Sequence, residues 1–229
     1  MLFTEELKQE AQPIIDAIYT DDFIQGLLNG TLTKAAIKHY LKADARYLFE
    51  FAKIYALLIP KVSTPNEIQF LTDQILFATS GEVEAHHILA DYVHLSYNEI
   101  IQDGEWYPTA DHYIKHMYFN AYHFDDVAYT IAAMAPCPYV YQQIGLRALR
   151  EHDFSANHPF HAWFAFYAEG MDDLMQHIDH WLNQCAKQAT AAERQQLKRN
   201  FLESTVHERH FFKMAYTQEK WDFRGGYDA

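Results

Sequence analysis

A chain of 229 residues that is 49% hydrophobic and 16% aromatic can bury a sizeable core. Its formal net charge of −13, with no basic stripe, excludes a partner held through its phosphate backbone, because nucleic-acid affinity rests on clustered Lys and Arg. No apolar run reaches the roughly 18 residues of a membrane span, and the start, Met1 to Glu6, lacks a secretory leader, so a cytoplasmic location is expected.

Only eight Gly are present, mostly between apolar-periodic segments, and the long 3.6-residue periods between them predict helices throughout. The first runs from about Thr4 to Leu28, kinked at Pro13, and stops at Asn29-Gly30. Thr33 caps the second, in which Ile37, Tyr40, Leu41, Asp44, Tyr47, Leu48, Phe51 and Ala52 recur at spacings of three and four until Pro60. Thr64-Pro65 reads as N-cap and first helical residue of a third, which reaches Tyr92 with a break near Gly81. Thr109 caps a helix through Tyr113, His116 and Met117. Asp125-Asp126 opens one that carries Cys137 and ends near Arg150. His158-Pro159 starts a short helix through Trp163 and Tyr167, and another spans Asp172 to Lys187. The capping-box pattern from Thr190 to Glu193 opens a last helix containing Glu208 and Phe211. The expectation is seven to nine helices in one all-α bundle, a single domain over residues 1–229.

Two chemistries compete for the polar residues. Glu84 and His87 form one Glu-x-x-His unit, but a carboxylate-bridged di-metal site needs a second such unit and two further Glu. The segments His86-His87 and His207-Glu208-Arg209-His210 supply possible ligands without completing the pattern. The other chemistry centres on Cys137, flanked by Pro136 and Pro138. Each proline removes an amide donor and crowds the carbonyl four residues back, so the helix must open there and can turn a thiol towards a cavity. A small inert buried thiol fits the same residues. Cys185, in an ordinary amphipathic run, reads as structural, and two Cys in such unlike settings form no disulfide framework. Sixteen Tyr and sixteen Phe suit either a helical core or a pocket lined with rings for a flat ligand. Taken singly, Asp44 reads as a solvated helix residue, and Glu208, between His207 and Arg209, as a surface ion-pair residue.

Several blocks in order carry more than any one of them. They are Phe23 to Leu27 with Asn29 to Leu32; Lys38 to Leu41 with Asp44, Tyr47-Leu48 and Phe51 to Lys53; Tyr113 with His116-Met117; Pro136-Cys137 with Tyr141 and Gly145; and Glu208 with Phe211 and Met214 to Tyr216. In this order they resemble the TenA/thiaminase II family over nearly the whole chain. The resemblance implies a heme-oxygenase-like helical bundle that needs no cofactor or metal and assembles as a homotetramer. It implies hydrolysis at the exocyclic methylene of a small pyrimidine, either thiamin or its breakdown product 4-amino-5-aminomethyl-2-methylpyrimidine. Cys137 falls on the family nucleophile and Glu208 on its catalytic carboxylate. Asp44 would bind the exocyclic amine, while Tyr47, Tyr113, Tyr141, Tyr167 and Phe211 fall on pocket positions. The chain departs from the family at Pro138 and Tyr139 and over Ala168 to Asp172, and Glu82 and Glu84 are candidates for a polar wall. A helical metal oxidase of similar fold and a non-catalytic pyrimidine-binding or regulatory protein are the alternatives.

Overall fold

A computed structural model describes residues 1–222. These form twelve α-helices, a 3-10 turn at Ile59–Lys61 and a π-helical turn at Phe77–Gly81, with no strand among the described residues. The helices are α1 (Phe3–Thr20), α2 (Asp22–Leu28), α3 (Lys34–Leu58), α4 (Pro65–Leu76), α5 (Val83–Val93), α6 (Tyr97–Ile101), α7 (Pro108–His123), α8 (Val127–Met134), α9 (Pro136–Glu151), α10 (His161–Gly170), α11 (Asp172–Gln188) and α12 (Ala191–Thr217). Their apolar faces meet in one cluster of buried residues reaching from Phe3 to Ala215.

The count exceeds the expected seven to nine because three predicted helices are divided and a short unexpected one is present. The first breaks at Asp21, whose extended backbone (φ −71°, ψ 151°) ends α1, while the helix runs through Pro13. Asp21 then accepts two hydrogen bonds from the Arg209 guanidinium of α12, at 2.7 and 2.9 Å. The third gives way to the π-turn just before Gly81 and resumes as α5. The helix expected to run from Asp125 to Arg150 is interrupted at Ala135, immediately before Pro136, whose ring crowds the preceding turn. The unexpected helix, α6, is opened by a capping box between Ser96 and Glu99. The expected cap at Thr109 is instead Tyr107, with Pro108 as the first helical residue.

Two long helices carry the bundle. In α3, the Thr33 hydroxyl caps the start by accepting from the Ala36 amide at 3.2 Å. Tyr40, Asp44, Tyr47 and Phe51 then follow at spacings of four, three and four, so Asp44 lies inside a buried apolar stripe. In α12, the Thr190–Glu193 box forms as predicted, and Phe201, Ser204, Glu208, Phe211 and Ala215 make the equivalent stripe. Both acids are therefore carried inward by the periodicity of the apolar residues around them.

Helices α9 and α10 approach closely at Gly145. A Cβ there would stand 2.7 Å from the Phe164 carbonyl oxygen and 2.8 Å from the Ala168 amide nitrogen, both of them main-chain atoms that a rotamer change cannot move aside. The approach sets the Tyr141 ring of α9 against the Tyr167 ring of α10, centroids 4.7 Å apart. Gly145→Ala would gain up to about 1 kcal/mol in helix propensity but lose about 1–3 kcal/mol to overpacking. Overpacking against main-chain atoms outweighs the propensity gain, so a lowered melting temperature is expected in thermal unfolding; an unchanged or raised one would show that the helices can separate freely.

Candidate active site

Residues of five helices and the N-cap of a sixth gather in one buried region, of which Cys137, Tyr141, Tyr167 and Glu82 line a narrow cavity. Asp44 and Tyr47 come from α3, Tyr113 from α7, Cys137 and Tyr141 from α9, Tyr167 from α10, and Glu208 and Phe211 from α12; Glu82 caps the start of α5. Cys137 stands in the first turn of α9, the end at which a helix dipole favours an anion. A narrow cavity exposes it together with Phe51, Tyr55, Phe77, Glu82, Tyr141 and Tyr167. The thiol keeps some access through this cavity although it lies deep in the protein. Burial drives its pKa well above the ordinary thiol value, and the charges of Glu208, Glu82 and Asp44 push it the same way. The Tyr47 hydroxyl beside it acts in the opposite direction.

Three carboxyl groups surround this thiol, each hydrogen-bonded to a buried ring residue. The Tyr113 hydroxyl donates to Glu208 Oε1 at 2.7 Å, and the Tyr167 hydroxyl to Glu82 Oε1 at 2.8 Å. Asp44 Oδ2 is 2.7 Å from His86 Nε2, and His86 is wholly buried, stacked on Tyr97 with centroids 4.9 Å apart. Burial raises Glu208 to about 8, Asp44 and Glu82 reinforcing the rise while Tyr113 opposes it. Burial likewise raises Glu82 to about 7, with Asp44 adding to it. For His86, burial works against a charge, yet the hydrogen bond and charge of Asp44 hold its pKa above the ordinary value. Among the described residues, no Lys or Arg forms an ion pair with Asp44, Glu82 or Glu208.

The rings close the region. Tyr47 lies 5.3 Å from both Tyr113 and Phe211, and the Tyr40 and Tyr141 hydroxyls share a hydrogen bond of 2.8 Å. Of the eight site residues singled out in the sequence, Cys137, Tyr141 and Tyr167 line the cavity, while Asp44, Tyr47, Tyr113, Glu208 and Phe211 are buried beside it. Asp44 and Glu208 are 3% and 2% exposed, so neither is the solvated residue it resembles when taken alone, and Arg209 pairs with Asp21 instead of Glu208. Glu84 and His87 point outward and meet neither Asp44 nor Glu208, while His86, their neighbour, points inward. Among the described residues no group of three or more His, Cys, Asp or Glu is placed to hold a metal ion. The sequence does not assign His86 and Tyr40 to the site, although Glu82, His86, Leu89 and Val93 follow the spacing of a buried stripe on α5. Cys185 borders a separate, open groove of about 950 Å³ between α4 and α11 that contains none of these residues.

A model of the TENA/THI-4/PQQC family matches residues 8–218. The chain belongs to that family. Relatives named aminopyrimidine aminohydrolase are 55% identical in Staphylococcus saprophyticus and 50% in Staphylococcus epidermidis, each over 225 residues and 98% of both chains. A relative of the same name in Staphylococcus aureus is 49% identical over the same share. Among solved structures, a TenA homologue from Pyrococcus furiosus superposes with a TM-score of 0.79 at 19% identity, covering 94% of this chain and 100% of that one. A domain from Shewanella denitrificans described as having a heme oxygenase-like fold gives 0.70 at 16% identity, covering 98% of each. The TENA/THI-4/PQQC chain therefore has the heme-oxygenase-like all-α fold expected of it.

The raised Glu208 carries a stability consequence. Its folded pKa of about 8 lies above the ordinary value of 4.5, so the folded state holds a proton that the unfolded state releases, and stability is lost as pH rises across that window. Glu208→Gln keeps an acceptor for Tyr113 and cannot ionise. Its melting temperature should exceed that of the wild type by a margin that widens between pH 5 and about 8. A margin that stays constant or narrows over that range would show Glu208 to be ionised throughout.

Proposed function

We propose that this chain is an aminopyrimidine aminohydrolase in which Cys137 is the nucleophile and Glu208 the acid. The observation that carries the reading is the meeting, in one ring-lined region, of a thiol at a helix start with the buried carboxyl group of Glu208, whose pKa burial raises. The names of the staphylococcal relatives support the substrate class.

The chemistry follows from these groups. A pyrimidine ring becomes electrophilic when a ring nitrogen is protonated, and Glu208, neutral near pH 7, can supply that proton. The Cys137 sulfur then forms a C–S bond to the ring, its proton passing to solvent water, which returns one when the sulfur is expelled. With aromaticity lost, the ring electrons expel the nitrogen on the exocyclic methylene; that C–N bond breaks and the departing nitrogen keeps the pair. Water adds to the methylene as the hydroxymethyl oxygen, and expulsion of the sulfur restores the aromatic ring. Asp44, held on one oxygen by His86, keeps acceptor capacity for the exocyclic amine. Tyr47 and Phe211 offer faces on which the ring can stack.

The same reading takes thiamin or 4-amino-5-aminomethyl-2-methylpyrimidine as substrate, in thiamin salvage or degradation in the cytoplasm, with no nucleic-acid partner. No helix among the described residues is long and apolar enough to cross a membrane. It treats the chain as one domain, supported by the single cluster of buried residues. It also makes the protein a homotetramer, supported by the exposed aromatic rings of Phe49 on α3 and of Phe119 and Tyr122 on α7.

Turnover of both substrates by the wild type, Cys137→Ser and Glu208→Gln tests it, with metal content measured on the same samples. The serine variant should be inactive, and the glutamine variant should lose about 10²–10⁴-fold in kcat. Activity that survives Cys137→Ser and follows bound metal would favour a metal oxidase; tight pyrimidine binding without turnover would favour a binding protein.

A further inference from the structure

Glu82 has no role in the hydrolysis just described, yet it is the one carboxylate among the residues lining the narrow cavity with Cys137. The other two acids have assignments: Asp44 is paired with the imidazole of His86, and Glu208, which accepts from the Tyr113 hydroxyl, is the proposed acid. The site as a whole brings three buried carboxyl groups and a thiol together, with His86 the basic group that acts on Glu82. Such a concentration of acid, unmatched by Lys or Arg, is costly until a positive charge enters. Around Glu82 stand the rings of Tyr55, Phe77, Tyr141 and Tyr167, whose faces also attract a cation. The π-turn at Phe77–Gly81 ends directly at Glu82, the N-cap residue of α5, which lines the cavity.

Both candidate substrates carry positive charge on the nitrogen that leaves. A primary aminomethyl group is an ammonium at neutral pH, and a thiazolium nitrogen is permanently cationic. We propose that Glu82 is the subsite for this cationic departing nitrogen, selecting substrates by charge at the leaving position, and that Tyr167 orients it for that task. The inference rests on the aminopyrimidine hydrolase reading for its substrate class. The hydroxymethyl product has lost the charge, so the same carboxylate favours substrate over product and helps clear the cavity after turnover.

The test compares two ligands that differ at that one group, a cationic ammonium against a neutral hydroxyl: 4-amino-5-aminomethyl-2-methylpyrimidine and 4-amino-5-hydroxymethyl-2-methylpyrimidine. Calorimetric binding is measured in the Cys137→Ser protein, which holds the first without consuming it, and again after adding Glu82→Gln or Glu82→Asp. Glutamine retains an acceptor for Tyr167 and removes only the charge. It should weaken the aminomethyl ligand about tenfold or more and the hydroxymethyl ligand less than about threefold, while aspartate keeps a preference for the cation. Equal weakening of both ligands, or no weakening of either, would overturn the proposal. Turnover by the wild type separates the two readings. Charge selectivity lost in Glu82→Gln, in a protein whose wild type turns over neither substrate, leaves the subsite and removes the hydrolase. Normal turnover without charge selectivity removes the subsite alone.

Discussion

The constraint on which the site depends is the burial of acid. Asp44, Glu82 and Glu208 are each under a tenth exposed, and their hydrogen bonds go to an imidazole for Asp44 and to a tyrosine hydroxyl for each of the others. In a low-dielectric interior, three carboxylates cannot all ionise at neutral pH without opposing charge. The cost is lowered by leaving Glu208 protonated and Glu82 near its midpoint. Protonated Glu208 is the form in which a carboxyl group can act as an acid. Part of the fold's stability is thus given up to hold an acid in its protonated form at neutral pH.

The apolar stripes of the helices impose that burial. Asp44 and Glu208 each occupy a position at which the spacing of neighbouring aromatics demands an inward residue. Neither can turn to water without unseating Tyr47 or Phe211, whose rings meet 5.3 Å apart. Close approach of α9 and α10 at Gly145 adds the Tyr141–Tyr167 pair, and Tyr167 in turn holds Glu82. A chain of packing contacts, all between helices, therefore fixes where each ionisable group lies.

The helices are legible in the sequence because they depend on local periodicity, whereas the candidate site residues come from the resemblance, since Asp44 and Glu208 taken singly read as solvated. Asp44 shares the spacing of Tyr40, Tyr47 and Phe51, yet only the structure shows it turned inward, while the two prolines beside Cys137 mark a helix opening. Divisions within helices are less legible. The break at Asp21 is stabilised by Arg209, almost the length of the chain away, and no local pattern reports such a partner. The pairing of His86 with Asp44 joins α5 to α3 and is hidden for the same reason. His86-His87 reads as a doublet of possible ligands, and only the packing of α5 shows that one imidazole faces inward and the other outward. The direction of Glu82 is set by the π-turn before it, and a five-residue widening of a helix has no clear sequence mark.

The free and the substrate-bound site need not have the same protonation. In the free protein, burial and three neighbouring acids keep Cys137 a thiol, a form that resists adventitious oxidation because the thiolate is the reactive species. A cation entering beside Glu82 would offset part of that negative field. It favours the carboxylate at Glu82, and it also favours the thiolate at Cys137, since an opposite charge lowers the pKa of any acid near it. In the mechanism proposed above, Glu208 gives its proton to a ring nitrogen as the sulfur attacks. The charge by which the leaving group is recognised would therefore also activate the nucleophile, so that reactivity rises only where there is a bond to break.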